Sequence, residues 1–265
     1  MKQKNKILIS YEELEAFYKK YNNTSYFGTD PIEYIYNYKD NEDREIVGLL
    51  ASSLAYGRVA QIRKNLSFIL SKMGKSPRKF VMEYNKEDFF NKICGFKHRF
   101  CKDVHIISFI SAIRNLIIRF GSIENAFITG ISRDDKDLLP AMRNFYRKMC
   151  EAGLDCPNHL LANPEKGSAC KRFCLYLRWM VRDDGVDSGC WKGVEKSMLI
   201  MPLDTHIHRI CKALGFTKSN QANMKTALEI TEKLKTFSPD DPVKYDFSLT
   251  RAAMDGGELS KLGRE

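Results

Sequence analysis

No two cysteines in this chain are spaced Cys-x-x-Cys. The eight present (Cys94, Cys101, Cys150, Cys156, Cys170, Cys174, Cys190 and Cys211) are scattered. That excludes zinc-ribbon and thioredoxin-like arrangements and reads as free thiols in a reducing compartment. Long apolar runs are also missing. The strongest, residues 106–118, is interrupted by Arg114 and Asn115 and falls short of the roughly 20 residues a membrane helix needs. The opening "MKQKNKILISYEELEAF" has too short an apolar stretch for a signal peptide and no small-residue cleavage site, so a cytoplasmic protein is expected. Histidine is scarce, at five residues, which leaves few ligands for a metal centre. There is no internal repeat, no low-complexity tract and almost no strand-like alternation.

What is present is a basic, helical chain. Its 265 residues are 43% hydrophobic, enough for a sizeable core. Lys and Arg number 43 against 33 acids, a net charge of +10, which favours an anionic partner such as nucleic acid or a membrane surface. Ile106, Phe109, Ile110, Ile113, Leu116, Ile117 and Phe120 share one helical face between Asp103 as a cap and Gly121 as a stop. Residues 41–74 read as two helices broken near "AYGR". Residues 140–152, 168–182, 205–214 and 224–237 read as further helices. Irregular connections are expected at 156–167, 183–193 and 237–242. The class is all-α.

One segment poses a chemical question: "MPLDTHIHRI", residues 201–210. An acid and two histidines in alternation suggest a metal site built from Asp204, His206 and His208. On a helix, however, residues i and i+2 point about 200° apart, and His98, His105 and His159 stand in no matching motif. Read as a helix ending before Gly215, the segment places Asp204 at the N-cap, where backbone N–H bonds and the helix dipole hold a carboxylate ionised.

Here "PLDTHIHRI" resembles the Asp-Thr-His segment of the helix-hairpin-helix DNA glycosylase superfamily, in which that Asp is catalytic. "EIVGLLASSLAYGRVAQIRKN", "KRFCLYLRWMVR", "PLDTHIHRICKALGFT" and "DDPVKYDFSLTR" are together similar to an uncharacterised bacterial family placed near these glycosylases. The resemblance spans most of residues 30–251. It implies one glycosylase-like all-α domain over residues 1–265, with two helical lobes and DNA in the cleft between them. The "LPGVGRKTA"-type hairpin of endonuclease III is replaced by "VDSGCWKGVEKSMLIM", with Gly189 and Gly193 as its turn glycines. No cysteine follows Cys211, so no iron–sulfur cluster is expected, nor any other cofactor.

The superfamily's nucleophilic lysine is then sought before Asp204. Lys171 precedes it by 33 residues, a spacing similar to that of the archaeal 8-oxoguanine glycosylases, with Lys192 the alternative. An amine attacks the sugar C1′ only when unprotonated, and a nearby carboxylate takes its proton. Helical spacing sets Cys170, Phe173, Cys174, Leu177, Met180 and Val181 on a buried stripe. That leaves Lys171, Leu175, Arg178 and Arg182 on another face, as a cationic ridge. For DNA contact, Arg58, Gln61, Arg63, Lys64, Arg178, Arg182 and His206 are the candidates, and for base stacking Trp179 and Trp191.

The expected activity is a DNA glycosylase with AP lyase activity that excises an oxidised purine, 8-oxoguanine-like, from double-stranded DNA through a lysine Schiff base. A non-catalytic nucleic-acid-binding protein on the same fold is the alternative, and a metal-dependent hydrolase the third. No membrane partner is expected.

Overall fold

The computed structural model describes residues 8–156, 158–255 and Leu259. The first seven residues, part of the segment read above for a signal peptide, lie outside them. Twelve α-helices and one two-stranded hairpin occur among the described residues, so the protein is predominantly helical. None of these helices is long and apolar enough to cross a membrane.

Helix α1 (Tyr11–Tyr21) starts where Ser10 and Glu13 satisfy each other's backbone N–H groups, a capping box. Two 3-10 turns, Thr24–Thr29 and Pro31–Asn37, lead to α2 (Asn41–Leu54). Helix α2 is buried on nearly every side from Glu45 to Leu54, and is followed by α3 (Val59–Met73), α4 (Pro77–Glu83) and α5 (Lys86–Ile93). Strands β1 (Lys97–His98) and β2 (Cys101–Lys102) pair antiparallel. Next come α6 (Asp103–Phe120), α7 (Ile123–Ile128), α8 (Leu139–Glu151) and α9 (Lys171–Val181), then α10 (Thr205–Ala213), α11 (Met224–Lys235) and α12 (Asp246–Met254). Helix α6 gathers α4, α5, α7 and α8, while α12 gathers α1 and α10. Helix α2 packs on α9 and on the Pro31–Asn37 turn. The buried apolar side chains form one continuous cluster.

The expected helices at 41–74, 106–120, 140–152, 205–214 and 224–237 are found to within a few residues. Gly121 ends α6 at φ +88°, but Asp103 is its first residue rather than its cap. The connection at 183–193 is irregular, as expected, and a 3-10 turn follows at Lys196–Met198. Two features differ from expectation. Helix α9 begins at Lys171, because Cys170 turns into the left-handed region at φ +47°. Cys150 and Cys156, expected as free thiols, are joined in a disulfide. The chain doubles back at Gly153, φ +102°, leaving their Cα atoms 6.3 Å apart, within bridging range.

Helix α9 can lie close to α2 because Gly48 faces it. A Cβ there would stand 2.7 Å from Met180 Cε and 3.4 Å from the Tyr176 ring. That close approach sets the position of α9, and with it of Lys171.

Candidate active site

Lys171 and Asp204 meet at the N-termini of two helices. Asp204 caps α10, with Oδ1 accepting from His206 N at 2.9 Å and Ile207 N at 2.8 Å. Its other oxygen, Oδ2, accepts from Lys171 Nζ at 2.5 Å. Cap and ion pair therefore use different oxygens of one carboxylate. Burial pushes the Asp204 carboxyl up, but the Lys171 ammonium and the two backbone N–H groups outweigh it and hold it below the ordinary carboxylate value. Both side chains keep 34% of their surface exposed, so a substrate can reach them.

Local chain geometry places the pair. At the far end of α10, Gly215 takes φ +81° while its N–H donates to Lys212 O and that of Phe216 to Cys211 O, the double closure of a Schellman motif. On the other side, Ser168 bridges Asn223 and Gly167 O accepts from Met224 N, tying the approach to α9 onto the start of α11. Cys170, left-handed without being glycine, costs roughly 1–2 kcal/mol and sits immediately before Lys171, the kind of place where strain marks function.

Beside the pair lies a cavity of about 130 Å3, lined by Asp30, Pro31, Ala55, Ile62, Lys171, Leu175, Arg178, Trp179, Asp246, Phe247 and Thr250. Asp246 had no role assigned from sequence. Burial pushes its carboxyl above the ordinary value against the pull of Arg178 and Lys171. A larger, shallower depression of about 540 Å3, lined by Phe90, Val104 and Ile107 among others, does not include the pair.

The cationic ridge expected on α9 is corrected. Arg178 and Arg182 are 2% and 1% exposed. Arg178 donates to Asp187 at 3.1 Å and pairs with Asp246. Arg182 pairs with Asp184 at 2.8 Å, with Asp241 at 3.0 Å and with Asp187. Burial works against both charges, but the surrounding carboxylates more than offset it, raising both guanidiniums above their ordinary range. Neither is free to meet a phosphate, because their partners arrive from the 183–193 loop, residue 241 and α12, which the period of α9 does not encode.

Trp179 and Trp191, expected to stack on a base, are core rings, 1% and 2% exposed. Trp179 forms part of the cavity wall, with its Nε1 unpartnered. Trp191 packs on Phe127 and Tyr176 and donates to Glu45, which also takes the N–H groups of Ile123 and Glu124. Lys192 is exposed and pairs with Asp183 at 3.5 Å, not with Asp204.

The remaining candidates lie on two elements, α3 with its start and α10. Arg58, Gln61 and Lys64 are exposed at the start of α3, with Gln61 bonded to Asn65. Arg63 is engaged by Glu33 at 2.8 Å and by Gly28 O. His206 is half-buried, its Nδ1 against Arg209 and its Nε2 unpartnered, whereas His208 is buried with Nε2 on Ser219 O. The two imidazoles thus face different partners. Among the described residues no group of three His, Cys, Asp or Glu is placed to hold a metal ion.

A pair of this kind, a lysine and an ionised carboxylate in contact beside a small cavity, suits amine nucleophilic chemistry. The chain belongs to the family described as "Protein of unknown function (DUF2400)", whose model matches residues 30–255. No curated protein and no solved structure matches it.

Proposed function

We propose that the protein is a DNA glycosylase with AP lyase activity, on a two-lobed fold like that of the helix-hairpin-helix glycosylases, acting on an oxidised purine in double-stranded DNA. The observation that carries this is the 2.5 Å contact between Lys171 and Asp204. Asp204 takes a proton from Lys171, and the freed amine attacks C1′ of the extruded nucleotide. The glycosidic electron pair leaves with the base. The nitrogen lone pair then opens the sugar to a Schiff base, loss of the C2′ proton expels the 3′ phosphate, and water releases the lysine. While the base departs, the Asp204 carboxylate offsets positive charge growing on the sugar. The space beside Lys171 is about 130 Å3, below the roughly 150 Å3 of a cavity that holds benzene, so a purine would reach Lys171 from its open side with only part of the ring inside.

Duplexes carrying single lesions provide the test. Base release and strand incision are expected on an 8-oxoguanine-type duplex, with binding that weakens steeply as salt rises, about 0.9 in log–log slope per phosphate neutralised. Binding that stays flat between low and physiological salt removes the nucleic-acid assignment.

One observation favours a second reading. The Arg182–Asp204 connection is irregular apart from one 3-10 turn, and in the glycosylase reading this stretch takes the place of the glycine hairpin, as expected of a nucleic-acid-binding protein that kept the fold without the reaction. Salt-sensitive binding with no incision on any lesion distinguishes it.

A further inference from the structure

The β1–β2 hairpin was not expected from the sequence, and its tip has an unusual build. Two residues, Arg99 and Phe100, turn between the paired strands. Arg99 is held at φ +53°, a region bulky non-glycine residues seldom occupy. Phe100 is 63% exposed, the most exposed aromatic among the described residues.

The base of the hairpin is the opposite. His98 is 1% exposed, its Nδ1 2.9 Å from Asn65 Nδ2 on α3 and its Nε2 3.0 Å from Tyr56 O, while Tyr56 Oη donates to His98 O at 3.0 Å. Gly57, φ +100°, allows the approach, since a Cβ there would lie 3.2 Å from Arg99 Cδ. The result is a firmly seated base and an apolar point in water.

Two routes tie this point to the Lys171 site. The Tyr56 ring lies under the Arg172 guanidinium at 4.6 Å, and its chain neighbour Ala55 lines the cavity. The Phe100 ring lies 5.6 Å from that of His159, whose carbonyl accepts from Arg172 at 2.6 Å. Lys97, Arg99 and Lys102 are exposed around the tip, and Arg58 follows Gly57.

An enzyme that extrudes a nucleotide leaves a gap in the base stack, and an apolar or aromatic side chain filling it offsets the lost stacking. We propose that the Arg99–Phe100 tip is that wedge: Phe100 enters the duplex beside the nucleotide presented to Lys171, and the surrounding cations take the flanking phosphates. This rests on the glycosylase assignment above.

The test compares wild type, Phe100→Ala and Phe100→Trp on one lesion in two contexts, duplex and single strand, with 2-aminopurine beside the lesion reporting unstacking. Phe100 is exposed, so the substitutions leave the core alone. Phe100→Ala is expected to lose roughly 10- to 100-fold on duplex, the size of a weakened extrusion step, with a matching loss of the fluorescence rise. It keeps the wild-type rate on single strand, and Phe100→Trp restores duplex activity. A wild-type duplex rate in Phe100→Ala, or equal losses in both contexts, overturns the wedge. Wild type that leaves both contexts uncut overturns the glycosylase assignment instead, and the wedge with it.

Discussion

The two halves of α9 carry similar cations with opposite fates. At its start, Lys171 has one carboxylate partner and keeps a third of its side chain exposed. Two turns on, Arg178, and at the C-cap, Arg182, are almost wholly buried among Asp184, Asp187, Asp241 and Asp246. The difference lies in partner number and solvent access rather than in residue type. A cation with several buried carboxylates is part of the scaffold, whereas Lys171, with its one partly exposed partner, stays within reach of solvent and of a ligand.

Breaking the buried half should have the largest effect. Arg182→Ala leaves three carboxylates short of a partner, and removing one member of a buried pair typically costs about 3–5 kcal/mol. Urea unfolding should register that loss, and a change below about 1 kcal/mol would place the network among dispensable surface pairs. Next comes Gly189→Ala in the loop that delivers Asp187. Its φ is +56°, and a Cβ would stand 2.4 Å from Asp183 Cβ and 2.9 Å from its Cα, so a loss of about 2 kcal/mol is expected by the same measurement.

The exposed half should behave in reverse. Asp204→Asn keeps a capping oxygen, so stability should move by well under about 1 kcal/mol, yet it removes the proposed proton acceptor. Single-turnover rates should fall by roughly two to four orders of magnitude. Full activity in this variant would reduce Asp204 to a cap.

The smallest effect concerns pH. Folding lowers the Asp204 pKa, so its contribution is fully present above the unfolded carboxylate value, about 4, and is lost as pH falls through the folded one. The difference in stability between wild type and Asp204→Asn should therefore shrink below about pH 4 in acid titrations of urea midpoints. A difference that widens there would reverse the sign.

How much was legible follows the same division. Long apolar periodicity revealed α6, and the N-cap logic of "PLDTHIHRI" located Asp204, because both signals are local. The burial of Arg178 and Arg182 was not legible. Their partners lie at 184, 187, 241 and 246, and only the fold brings them together. The hairpin is not legible in the sequence because Arg99–Phe100 contains none of the Gly or Asn that mark a tight two-residue turn. Trp179 and Trp191 flank the site in sequence but point into the core. The Cys150–Cys156 bridge spans Gly153, a turn that cysteine spacing alone does not identify.

The central claim is that Lys171 is the nucleophile, and borohydride trapping tests it most directly. Wild-type protein mixed with a lesion-bearing duplex and borohydride should give a covalent protein–DNA adduct. Lys171→Gln should give none while still binding the duplex, since glutamine keeps the length but forms no imine. An adduct that persists in Lys171→Gln would contradict the assignment and place the nucleophile elsewhere.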